Sequence, residues 1–227
     1  MYQPMLFIHW KQIRVALIPF VVASFGLPLV MVHWLGSSPG AQNGMMAYRI
    51  VTQSAQWSGL FPILAAAIGV TLALSAWNWD HQLGHVYALS LPVPRWTYAG
   101  LKMGAGAVLA LLPATALWIG ALVASASVTL PPGLHAYPTL LAIRFFAAIL
   151  LSYAILFAMA AGTVRTTVWV VTSIALLLIV AGLSRNLLAS HFVVFQRMTP
   201  LEWVVHALTS LPGPFRIFSG NWLLIDV

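Results

Sequence analysis

Residues 79 to 102 read Trp79-Asp80-His81-Gln82-Leu83-Gly84-His85-Val86-Tyr87-Ala88-Leu89-Ser90-Leu91-Pro92-Val93-Pro94-Arg95-Trp96-Thr97-Tyr98-Ala99-Gly100-Leu101-Lys102, a polar island between two long apolar runs. It holds one of only three acidic residues in the chain, with two histidines, two prolines and two cations. The island reads as a small helix with a sharp stop. Asp80 suits its start as an acidic first-turn residue. Leu83, Val86 and Tyr87 share one face at i, i+3, i+4 spacing. Pro92 and Pro94 forbid its continuation, and Arg95 and Lys102 flank the next apolar run.

The runs on either side decide the fold class. Of the 227 residues, 61% are hydrophobic and 6% charged, against about 25% charged in soluble domains. The mean hydropathy is +0.95. Several stretches exceed the roughly 20 residues that a helix needs to cross a bilayer core. They are continuous rather than alternating, which favours helices over a barrel as the way to pair every backbone group inside lipid. The expectation is an all-α, polytopic membrane helical bundle.

Along the chain, residues 2–14 read as an N-terminal interfacial helix, with Phe7, Trp10, Lys11 and Arg14 mixing aromatic and cationic groups. Spans are expected at about 16–35, 57–78, 99–126, 139–162 and 166–184. Pro113 predicts a kink or local unwinding in the third, and Pro131-Pro132-Gly133 a tight turn after it. The run at 16–35 lacks a cleavage pattern and is read as a retained span rather than a signal peptide. Residues 186–221 are interrupted by His191, Arg197, Pro200, Glu202 and His206 and read as short re-entrant or surface helices. Trp222-Leu223-Leu224-Ile225-Asp226-Val227 reads either as the end of a five-span protein or as the opening of a truncated sixth span.

The net charge of +7 reads as cations at span ends near anionic headgroups. No Arg/Lys-rich run forms a nucleic-acid footprint. Five cations fall on each side of the membrane, so the positive-inside rule leaves orientation open. The chain has no cysteine, hence no disulfide or thiolate chemistry. His81 and His85 have i, i+4 spacing, but no third strong ligand lies nearby, so a solvated polar face is favoured over a metal site. Arg144 and Arg165, near span ends, read as snorkelling cations. Ala65/Gly69/Ala73 and Gly100/Gly104 are small-residue patterns that suit close helix packing, within the chain or across a permease dimer.

Asp80, Gly84, the run Leu89-Ser90-Leu91-Pro92-Val93-Pro94-Arg95 and Lys102 together resemble the ABC-2 type transporter permeases, the membrane subunits of ATP-binding-cassette exporters. The layout is similar too: an amphipathic start, a polar loop after span one, and irregular short helices after span five. His85 departs from the small hydroxyl residue usual after the glycine, and the family's sixth span is missing or cut short. The resemblance implies a single permease domain over 1–227, with a cytoplasmic coupling element at 79–95. Asp80, Leu83, Gly84, Val86, Tyr87, Pro92, Pro94 and Arg95 would meet a separate ATPase subunit there. It further implies two copies of that ATPase, a second identical or related permease, ATP and Mg on the partner rather than on this chain, and export of a hydrophobic or amphipathic cargo. The location implied is the inner or cytoplasmic membrane of a prokaryote, with the N-terminus cytoplasmic.

No G-x-x-x-x-G-K-[ST] occurs, so ATP hydrolysis by this chain is not expected. An intramembrane protease would need H-E-x-x-H, which is absent, or a serine beside a membrane-embedded histidine. The alternative to transport is a membrane scaffold or sensor.

Overall fold

A computed structural model describes residues 2–36, 58–82, 94–128, 133–161, 168–169, 172–173, 214–218 and 220–226. They are mostly helical: α1 (Tyr2–Gly36), α2 (Leu60–Gln82), α3 (Arg95–Leu109), α4 (Leu111–Ala126) and α5 (Pro138–Ala160), with a 3-10 helix at Pro214–Phe218. Two short strands, β1 (His135–Ala136) and β2 (Ile225–Asp226), pair antiparallel, with His135 opposite Asp226 and Ala136 opposite Ile225. Among the described residues, four stretches are long and apolar enough to cross a membrane: Leu6–His33, Leu60–Asn78, Trp96–Ala126 and Pro138–Ala160. The chain is therefore a helical membrane protein. The expected fifth span at 166–184 and most of 186–221 lie outside the described residues.

The chain divides into two compact units, Met1–Phe157 with Gly220–Val227, and Ala158–Ser219. In the first, α1 packs chiefly along α4 and also against α2 and α3. Ile13, Leu17, Met31 and Val32 face inward from α1, while Phe7, Val15, Ile18 and Val22 face outward. Apolar side chains on the outside are what a membrane helix tolerates, since lipid, not water, is the solvent there. The second unit holds, among the described residues, the last turn of α5 and the 3-10 helix.

The structure differs from the sequence reading at three boundaries. Residues 2–14 are not a separate interfacial helix: α1 runs unbroken through Pro19 and Pro28. Nothing between Arg14 and Ala16 disfavours helix, and prolines inside membrane helices are tolerated where neighbouring groups re-satisfy the backbone. The second helix runs on to Gln82, past the expected end at 78, because no glycine or proline interrupts Trp77-Asn78-Trp79-Asp80. Asn221 to Asp226 is extended instead of opening a helix, with the Tyr137 amide donating to the Leu224 carbonyl at 2.8 Å.

The expected break in the third span falls at Ala110, between α3 and α4. Pro113 explains it: without an N–H it leaves the Leu109 carbonyl unbonded, and its ring crowds that carbonyl. The Ala110 amide still reaches the Gly106 carbonyl at 2.9 Å and its backbone stays helical (φ −64°, ψ −20°), so the interruption is local. Gly133 has φ +95°, with open space where a Cβ would stand. Its left-handed backbone alone selects glycine in the turn before β1.

Candidate functional site: a buried ion pair at the stems of the polar connector

The last turns of α2 and the first turns of α3 meet at a closed polar cluster. Ala76, Trp77 and Asp80 lie on α2, with Ala76 and Asp80 one turn apart on one face. Tyr98 and Lys102 hold the same relation on α3. Lys102 is the eighth residue of α3, so its backbone sits about 10 Å along the helix from the proline joint. From there its side chain crosses to α2. Its Nζ donates to Asp80 Oδ2 at 2.7 Å and to the Ala76 carbonyl at 2.6 Å. The Tyr98 hydroxyl sits 3.1 and 3.2 Å from the two Asp80 carboxylate oxygens. Asp80 is 2% exposed and Lys102 8%, which makes this a desolvated pair rather than a surface one.

Two rings complete the enclosure. The Lys102 ammonium lies 4.8 Å from the centroid of Trp77 and 5.0 Å from that of Tyr98, within cation–π range of both. Buried charge of this kind persists only when paired and hydrogen-bonded.

α5 buttresses the cluster. Trp77 Nε1 donates to the Phe157 carbonyl at 3.1 Å, and the two rings stand 5.1 Å apart. The Tyr153 hydroxyl donates to the Lys102 carbonyl at 3.2 Å. These contacts depend on small residues. A Cβ on Gly106 would collide with the Tyr153 hydroxyl. One on Gly69 would collide with Ser152 Oγ and stand 2.8 Å from the Tyr153 amide nitrogen. Ser152 Oγ meanwhile bonds the Ala148 and Ile149 carbonyls of its own helix. From the α1 side, buried His9 brings Nε2 to 3.4 Å from Ser75 Oγ, which itself donates to the Leu72 carbonyl at 2.9 Å. The arrangement is electrostatic and mechanical: it holds one cation and ties three helices around it.

The far end of α5 is built differently. Arg144 lies 4.5 Å from the centroid of Trp222 and donates to the Asn221 carbonyl at 2.8 Å. Trp222, Leu224 and Ile225 are buried, so residues 221–226 form a strap over this end of the bundle. The Arg144 guanidinium, half-buried near this span end, stacks on an indole.

Of the residues singled out in the sequence, Asp80 lies in the last turn of α2 and does not open a new helix. Its carboxylate turns inward to Lys102 and Tyr98. Burial drives this, since an acid at a bundle end is less costly paired than facing apolar surroundings. Pro94 is the exposed residue before α3, with φ −55° and ψ 138°, and Arg95 is the first residue of that helix. Leu83, Gly84, Val86, Tyr87 and Pro92 lie outside the described residues, as does His85. Gly69 is consumed by packing between α2 and α5, whereas Gly100 faces open space among the described residues. Gly104 lies half-buried in α3. Among the described residues no group of three or more His, Cys, Asp or Glu converges as a metal site would.

Sequence reasoning named Asp80 and Lys102 but did not join them, and it missed Trp77, Tyr98, Tyr153 and His9. A signal was there. Tyr98 and Lys102 are i, i+4, and a lone acid and a lone lysine flank one connector between consecutive spans. No protein-family profile, curated protein or solved structure matches the chain.

Proposed function

We propose that the protein is the membrane-spanning permease subunit of an ATP-binding-cassette exporter, coupled through residues 79–95 to a separate ATPase subunit. The observation that carries this reading is the ion pair between Asp80 and Lys102, the two charged residues that bracket the ABC-2-like stretch. A coupling element is useful only if a push on it moves helices. Here both stems of the connector are tied to each other, and through Trp77 and Tyr153 to α5. A displacement at 83–93 therefore tilts α2 and α3 together. The proline joint at Pro92 and Pro94 stiffens the path.

The helices would line a largely apolar pathway between two permease copies, which suits hydrophobic or amphipathic cargo. Gly100, with open space around it among the described residues, is a residue available for a permease–permease contact. ATP and Mg belong to the partner, and the setting is the cytoplasmic membrane of a prokaryote with the N-terminus inside.

Purification from native membranes in mild detergent, followed by mass spectrometry, tests the reading. The expected companion is a stoichiometric soluble protein bearing a P-loop, with or without a second permease. Purification without any ATP-binding protein, even after cross-linking, would replace it with the scaffold or sensor reading.

A further inference from the structure

We propose that the end of α2 is a primary-ammonium binding site whose resident ligand is the chain's own Lys102, making Lys102 a positioning residue that docks α3 onto α2. The features are those of a receptor for an ammonium group. One charged acceptor, Asp80 Oδ2, and one neutral acceptor, the Ala76 carbonyl, lie at 2.7 and 2.6 Å. Two aromatic faces, Trp77 and Tyr98, lie at 4.8 and 5.0 Å. Both cage and guest are buried. Ala76, Trp77 and Asp80 all belong to α2, so α2 supplies both acceptors, and α3 supplies the guest and one wall. Tyr98 presents its hydroxyl to both carboxylate oxygens and so holds the orientation of Asp80 toward the cation.

A site of this kind selects by hydrogen bonding as well as charge. An ammonium supplies donors to both oxygens, whereas a quaternary ammonium supplies charge without donors and a neutral alcohol a donor without charge. Arginine is a poor substitute, because its planar fork does not match one carbonyl and one carboxylate oxygen lying on the same turn. As a consequence for transport, which rests on the permease reading, occupancy of this cage is what makes the two connector stems a single lever.

The test uses the full chain in lipid nanodiscs. The protein has no native cysteine, so spin labels at Asn78→Cys and Trp96→Cys, both exposed positions at the two stems, report their separation alone. The wild-type cage gives one narrow distance. Lys102→Ala broadens it, and n-propylammonium, which replaces the atoms removed, restores the narrow distance saturably. Neither 1-propanol nor tetramethylammonium does so, and Asp80→Asn in the same background abolishes the rescue. An unchanged distance in Lys102→Ala, or equal rescue by 1-propanol, overturns the proposal.

A second measurement needs no variant that must survive the loss of Lys102. The chain has only two lysines, Lys11 and Lys102. Amine acylation of the wild-type protein followed by mass spectrometry should modify exposed Lys11 and spare Lys102, with Asp80→Asn making Lys102 reactive. Acylation of Lys102 as fast as Lys11 in the wild type would overturn the proposal. Both experiments run without ATP or partner, so their failure is distinct from the absence of an ATPase companion.

Discussion

The two ends of α5 handle a cation in opposite ways, buried Lys102 at one and half-buried Arg144 at the other. Near Phe157, Lys102 meets a carboxylate, a carbonyl and two rings, all delivered by helices whose register is set over whole turns. Near Arg144, the cation meets an indole face and a backbone carbonyl, both brought by a strap some 77 residues further along the chain. The first end joins neighbours in sequence and is closed on all sides. The second is completed by a segment that must travel back to reach it. A clamp made of adjacent helices transmits force, whereas a strap made of extended chain closes an end. That difference accords with the proposal that coupling runs through the first.

The largest expected effect comes from halving the ion pair. Lys102→Met leaves Asp80 buried and uncompensated, at a cost of about 3–5 kcal/mol. The double variant Asp80→Leu/Lys102→Met should recover most of that, because an apolar pair of similar volume is often neutral. Unfolding of the detergent-solubilised protein by added SDS measures both. If the double variant is as unstable as the single one, Lys102 has a role beyond its partner. Next come the close contacts. Gly106→Ala and Gly69→Ala push α5 away from the clamp and should cost about 1–3 kcal/mol each by the same assay.

At the strap end, Arg144→Gln removes the stacking cation and is expected to cost about 1 kcal/mol. It reads out as amide exchange at Tyr137 roughly fivefold faster, since that amide is held by Leu224. A comparable loss at the Lys102 end would erase the distinction between the ends. The smallest effect is at Gly100, where a Cβ meets nothing. Gly100→Ala should stabilise the isolated chain slightly, by about 0.5–1 kcal/mol through helix entropy. If it instead breaks up a dimer on native mass spectrometry, Gly100 marks the permease seam.

What the sequence made legible follows from how far apart the partners are. The apolar runs at α2, at α3 with α4, and at α5 were readable because twenty apolar residues have few alternatives in a membrane. The interruption at Ala110 was readable because Pro113 acts within its own turn. The boundary at Arg14 was misread, since aromatic and cationic residues mark an interface without marking a helix end. Asp80 was misread for a related reason: an acid signals a helix start only where the helix before it stops, and α2 runs through Asp80 to Gln82. Trp222 could not be matched to Arg144 at all. No periodicity links a strap to a helix so distant in sequence, and six residues of mixed apolar character look the same as a helix opening or as a strand.

The most direct test places a photo-activatable side chain at Val86 or Tyr87 in the connector, and in parallel at exposed Tyr137 beside the strap, in cells carrying the native membrane. The account predicts that the connector positions cross-link to a soluble P-loop ATPase and that Tyr137 does not. Cross-linking to no P-loop protein from either connector position, or equally from both ends of the bundle, would contradict it.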